Sequence, residues 1–119
     1  MSLQEHQDSN FIEKKRSDFK KTIEFLYQHL GTNAFKNINN ENEYQSRFNP
    51  TVFDSIAIAT NYVLERRSNI DVSSLEKNHK ILLHNETYKK YTTSRTTNIE
   101  HINGRISLAT QILYNLNYE

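Results

Sequence analysis

The chain has 119 residues, the size of one domain, and its 15 Lys and Arg against 14 Asp and Glu leave a formal charge of only +1, so the chain as a whole is not a polyanion binder. It has no cysteine, which excludes disulfides, thiolate metal sites and a thiol nucleophile. Two glycines and one proline are too few for the many tight turns of an all-β protein. No apolar run approaches the roughly 18 residues of a membrane span and no signal-peptide pattern opens the chain, so the expectation is a cytoplasmic protein without a membrane partner.

Residues 1–9 are polar and read as a cloning-derived or disordered N-terminus, Met1-Ser2-Leu3 being like a vector-derived start. Residues 10–119 read as a single helical domain that is a fragment of a larger protein. Asp8, Ser9 or Asn10 can cap a first helix from about Phe11 to Leu30. Its apolar positions Ile12, Phe19, Ile23, Leu26 and Leu30 keep a 3–4 spacing. Gly31 follows the last of them, where a glycine ends a helix, and Thr32–Phe35 make one more turn that folds Phe35 onto the core. Lys36–Ser46 is polar and reads as an exposed loop.

Asn49-Pro50 is the clearest helix start: an asparagine cap, then a proline at the first helical position. The helix it opens runs to Glu65 or Arg66. Val52, Ile56, Ala59 and Val63 form one stripe, and Phe53, Ala57, Thr60 and Leu64 form another beside it, the pattern of a central helix. Ser73-Ser74-Leu75-Glu76 and Thr97-Asn98-Ile99-Glu100 both read as capping boxes. The first opens a helix over about 74–84 with Leu75, His79, Leu82 and Leu83 inward. Asn85 breaks it, Glu86–Tyr91 form a short helix and Thr92–Thr97 a turn. The second opens a final helix over about 98–115 with Ile99, Ile102, Ile106, Ala109, Leu113 and Leu116 inward. Gly104 inside it costs about 1 kcal/mol against alanine, which a close crossing would explain. No run alternates as a strand does, so the expected fold is all-α, a compact bundle of four to six helices.

Chemistry-bearing constellations are sparse. His79 and His84 are five apart, the wrong spacing for one-face metal ligation. Asp54 reads as a boundary residue pairing with an arginine such as Arg47. No serine elbow or phosphate loop is present. No catalytic residue, metal or cofactor is therefore assigned, and the chain is not read as an enzyme. The basic clusters Lys14, Lys15, Arg16, Lys20 and Lys21, then Arg66 and Arg67, then Lys89 and Lys90 are candidate phosphate contacts, against the plainer reading of solvated faces with mixed ion pairs. Tyr88 and Tyr91 beside Lys89-Lys90 read as core edge rather than stacking platforms.

An amphipathic helix with Phe19, Ile23 and Leu26 leads to Gly31-Thr-Asn-Ala-Phe35 and an Asn/Glu loop. Then come Arg47-Phe48-Asn49-Pro50-Thr51-Val52-Phe53-Asp54-Ser55 and a final helix containing Arg105-Ile106. This order resembles the helical C-terminal part of the DUF262 family over residues 11–116. That family resembles ParB and sulfiredoxin nucleotide-handling folds at its N-terminus and is associated with modification-dependent restriction. Its upstream Asp-Gly-Gln-Gln-Arg-like motif has no counterpart here, so no family site residue carries over. The resemblance implies a non-catalytic accessory domain supporting an upstream nuclease- or NTPase-like domain of the same protein, with DNA as a further candidate partner. The alternative is a stand-alone helical protein–protein interaction module.

Overall fold

Asn49 and Pro50 start the central helix as their chemistry requires. The computed structural model describes the backbone of residues 3–67 and 69–118, with the side chains from Glu13 onward in that range, Lys15 apart. In it Asn49 is extended, with φ −119°, and its Oδ1 accepts the Val52 N–H at 3.1 Å. The elements in order are α1 (Leu3–Leu30), a 3-10 turn (Gly31–Phe35), β1 (Lys36–Ile38), β2 (Tyr44–Phe48), α2 (Pro50–Arg66), α3 (Leu75–His84), α4 (Glu86–Thr93) and α5 (Ile99–Tyr114).

Both stripes of α2 are used. Val52, Ile56, Ala59 and Val63 are fully buried, Ala57 and Thr60 are buried, and Phe53 and Leu64 are half-buried. Leu26 of α1, Ile38 of β1, Leu75, Leu82 and Leu83 of α3, Tyr88 of α4, and Ala109 and Leu113 of α5 join them in one core. Each large aliphatic side chain removed from water there contributes about 1.5–3 kcal/mol. The most extensive helix pair is α2 with α5, and α1, α3 and α4 complete the bundle.

Three polar side chains of α2 each reach a different helix. Ser55 donates to the Val52 carbonyl at 3.0 Å and receives the Tyr88 hydroxyl of α4 at 2.6 Å. Thr60 meets the Tyr114 hydroxyl of α5 at 2.6 Å. Asn61 lies against Thr22 of α1, with 3.4 Å between Oδ1 and Oγ1. These buried groups are satisfied by one another, so they fix the relative placement of the helices at little desolvation cost.

The fold is not strictly all-α. The stretch 36–46, expected as a loop, belongs to an antiparallel hairpin over 36–48 that pairs Lys36 with Phe48 and Ile38 with Tyr44. The register is irregular between those pairs, so inward and outward residues do not alternate in the sequence. The turn rests on Asn39, whose Oδ1 accepts the N–H groups of Glu41 and Glu43 at 2.9 Å each, and on Asn42 at φ 65°. Asparagine does here what Asn-Gly does in tighter hairpins.

Several local expectations are also corrected. The α1 backbone is helical from Leu3, earlier than Phe11 and across most of the stretch read as cloning-derived or disordered. Met1 and Ser2, like the Ile12 side chain, lie outside the described residues. Neither capping box forms as expected. Ser74 makes no side-chain cap, and Asp71 instead accepts from the Ser73 N–H at 3.0 Å and hydroxyl at 2.6 Å. The cap of α5 is Asn98, accepting from the His101 N–H at 3.2 Å, because the helix starts at Ile99 and so Asn98, not Thr97, stands at the capping position. α4 runs two residues past Tyr91, to Thr93. Asp54 is exposed and makes no ion pair with Arg47.

Gly31, at φ 61°, ends α1 as expected. Gly104 has a different reason to be glycine. The Tyr91 ring of α4 lies against it, and a Cβ would sit 2.7 Å from Tyr91 Cδ2.

Candidate functional site

α1 and α2 run antiparallel: Thr22 meets Asn61, while Phe35, just past the end of α1, packs on Phe53 at 5.0 Å between centroids. Asp18 and Lys21 share a groove of about 480 Å³ with Leu64 and Glu65. Asp18 therefore stands level with the end of α2, and residues 3–17 of α1 continue past it for about 22 Å at 1.5 Å per residue. The long dimension of the molecule, 56 Å against 33 and 28 Å, reflects this projection.

The projection explains an anomaly in burial. Phe19 lies seven residues before Leu26, on the same face, yet Leu26 is 0% exposed and Phe19 58%. The face keeps its direction, but the bundle stops underneath it. Ile23 is half-buried at the transition, and Tyr27 on the flank is also exposed. Ile99 is 75% exposed for the same kind of reason, standing at the first position of α5 before that helix meets its neighbours.

The structure gathers some of the candidate cations and separates others. Lys14 and Arg16 are exposed on the projecting part of α1, Lys20 and Lys21 are exposed just inside it, and Arg66 and Arg67 end α2 at the same level. Lys15 belongs to this cluster in sequence, but its side chain lies outside the described residues. Acidic groups are interleaved: Lys20 lies 4.0 Å from Glu24 and Arg66 3.7 Å from Glu65, and exposed pairs of this kind contribute little. Arg66 also stacks 3.6 Å above the Tyr62 ring. Lys89 and Lys90 are elsewhere. Their helix joins α2 through Tyr88 and Ser55, eleven residues before Arg66 and so about 16 Å along the axis. Lys89 is 3.9 Å from Glu86. Tyr88, expected at the core edge, is buried within the core, and Tyr91 is half-buried against Gly104.

The burial of one polar group and the partner of another escaped the sequence reading. Arg105, 8% exposed, donates from Nη1 to the carbonyls of Thr96 at 2.9 Å and Tyr91 at 3.2 Å, clamping the α4–α5 connection. Its signal was the four-residue spacing from His101 and to Ala109, which places all three on the buried face of α5. His79, correctly placed inward, is 0% exposed and pairs through Nδ1 with the Tyr44 hydroxyl at 2.9 Å. The two rings stack at 5.6 Å. Burial, with Lys80 nearby, pushes the imidazole down to about 4. Burial, with Glu76 nearby, pushes the Tyr44 phenol up to about 12. At neutral pH both groups are uncharged, and neither titrates where a general acid or base would need to.

Among the described residues, no three His, Cys, Asp or Glu side chains cluster as a metal site requires, and no helix is long and apolar enough to cross a membrane. The most distinctive exposed feature among the described residues is the stretch of α1 from Glu13 to Lys21, where Phe19 stands bare among Lys14, Arg16, Lys20 and Lys21. No family model, no curated protein and no solved structure matches the chain.

Proposed function

We propose that the chain is a non-catalytic helical accessory domain that docks onto another polypeptide through the projecting half of α1. In the DUF262 reading that polypeptide is the upstream domain of the same protein; in the alternative reading it is a separate partner. The supporting observation is the contrast between Leu26 and Phe19: one face of one helix, covered by the bundle at one end and bare at the other. A large aromatic side chain left more than half exposed on a core-directed face suits a docking contact, where buried aromatic anchors carry most of the affinity.

The test is photo-crosslinking in cells from a photoreactive phenylalanine analogue at position 19, with position 58 as control. Ile58 is 44% exposed but lies on the body of the bundle. Docking through α1 gives a discrete cross-linked product from position 19 and none from position 58. Equal or absent products from both positions would remove the proposal.

A second reading, contact with DNA, is favoured by the shared placement of the α1 and α2 cations at one end of the molecule. It is weakened by Glu24 and Glu65, which stand among them.

A further inference from the structure

The hairpin is anchored at its base, where Phe48 packs on Phe53 of α2 at 5.7 Å and on Phe35 at 6.3 Å between centroids, and is held more lightly towards its tip. Within residues 36–48 only Ile38 is buried. The rest of the attachment to α3 is made by two histidines: His79 with the Tyr44 hydroxyl at 2.9 Å, and His84 Nε2 with Asn42 Oδ1 at 2.8 Å. Lys80 adds a weak contact, its ammonium 5.5 Å from the centre of the Tyr44 ring. A two-stranded ribbon has little stability of its own, and this one is interrupted in register.

The two histidines differ in what a proton does to them. His84 is partly exposed, and its Nε2–H donates to Asn42 whether the ring is neutral or charged. His79 is fully buried, and its Nε2 is the one buried side-chain polar atom without a hydrogen-bond partner among the described residues. With Nδ1–H donating to Tyr44, the neutral ring leaves only a bare lone pair at Nε2. The imidazolium would instead bury a charged N–H with no acceptor, a far costlier state.

No surrounding group offers relief. On its own helix, Lys80 opposes the charge and Glu76 makes no ion pair with the ring. Of the titratable groups on the elements packed against α3, Tyr88 is engaged with Ser55, Tyr114 with Thr60, Arg105 with two carbonyls and His101 with the Ser94 carbonyl. His29 of α1 packs against Phe25, and Lys36 of β1 is itself a cation. The half-exposed Tyr44 ring stacks on the imidazole, whereas α1, α4 and α5 on the other sides are core helices. The shortest path from His79 to water is displacement of Tyr44.

We infer that the hairpin is a proton-released latch: protonation of His79 expels Tyr44 and frees residues 39–48 from α3 while the helical bundle stays folded. The released state hydrates the imidazolium and opens the α3 surface beneath the hairpin.

The experiment is an NMR pH series from 7 to 4 on the isotopically labelled chain, with amide exchange measured at each pH. The expected result is a collective shift and loss of protection for amides of 39–48, centred below the ordinary histidine range, while α2 and α5 keep their protection. His79→Gln, which can bond Tyr44 but does not titrate, should keep the hairpin docked throughout. His84→Gln should leave the transition in place. A hairpin that stays docked to pH 4, helices that lose protection together with it, or an unchanged transition in His79→Gln would each overturn the inference. If His79→Gln does not fold, Tyr44→Phe decides. Losing the hydroxyl weakens the docked state alone, so release must move to higher pH; an unmoved midpoint contradicts the latch.

Discussion

Phe19 and Leu26 stand two helical turns apart on one face of α1, and the bundle covers only Leu26. The apolar spacing of α1 therefore serves two surfaces: the C-terminal half packs the core, and at Phe19, level with the end of α2, the same face comes free of the bundle. Their substitution effects should differ accordingly. Leu26→Ala should cost about 2–5 kcal/mol, the usual range for a buried leucine. Phe19→Ser should stay within about 0.5 kcal/mol of wild type, as exposed positions do. Urea unfolding of both variants checks this, and a large loss for Phe19→Ser would mean that the chain itself covers that face.

Gly104 is held by the Tyr91 ring. Gly104→Ala should therefore destabilise by about 1–3 kcal/mol through overpacking, although alanine gains about 1 kcal/mol in helix propensity. In the Tyr91→Ala background the collision is gone, and the same substitution should become neutral or stabilising. Thermal unfolding of the four proteins in this cycle gives the answer. Additive effects of the two substitutions would refute the contact.

Tyrosine ionisation offers a separate check on packing. Burial pushes Tyr44 and Tyr114 up to about 12 and raises Tyr88 as well, the last two eased by the hydrogen bonds that pair Tyr88 with Ser55 and Tyr114 with Thr60. These phenols are neutral in the fold and ionise more readily once unfolded. Their contribution is complete below pH 10 and is lost as pH rises from about 10 towards 12, with the well-buried Tyr88 and Tyr114 contributing most and the half-exposed Tyr44 least. Absorbance titration should show Tyr44, Tyr88 and Tyr114 ionising only above the ordinary phenol range and together with unfolding. Seven equivalent tyrosines would contradict the burial described.

The DNA reading makes a directional claim. Charge reversal at Lys14, Lys20 and Lys21 should weaken duplex binding and reduce its salt slope by about one unit per lost phosphate contact. Reversal at Lys89 and Lys90, on the far part of the molecule, should leave it unchanged. Anisotropy with a labelled duplex reads both, and no binding at low salt would dismiss this reading.

Much of the bundle was legible because its signals are local. Asn49-Pro50, the two stripes of α2, the inward set Leu75, His79, Leu82 and Leu83, and Gly31 all act within a turn or two of themselves. The hairpin was not legible: asparagine amides hold its turn and a register irregularity removes the alternation that marks a strand. The Tyr44–His79 pair was hidden by 35 residues of separation. Periodicity placed Phe19 and Ile99 on the correct faces but carries no information about where a bundle ends, so their exposure could not be read from spacing. Among the basic positions, the juxtaposition of the α1 and α2 clusters depends on antiparallel packing and became visible only with the fold.

Amide hydrogen exchange along α1, measured on the chain alone and again with the partner captured from position 19, tests the docking account most directly. A helix segment without tertiary contacts opens readily. Amides of 13–18 should therefore exchange far faster than those of 22–30 in the isolated chain, and slow markedly when the partner is bound. Equal protection along α1 in the isolated chain, or no slowing of 13–18 in the complex, would contradict docking through the projecting half of α1.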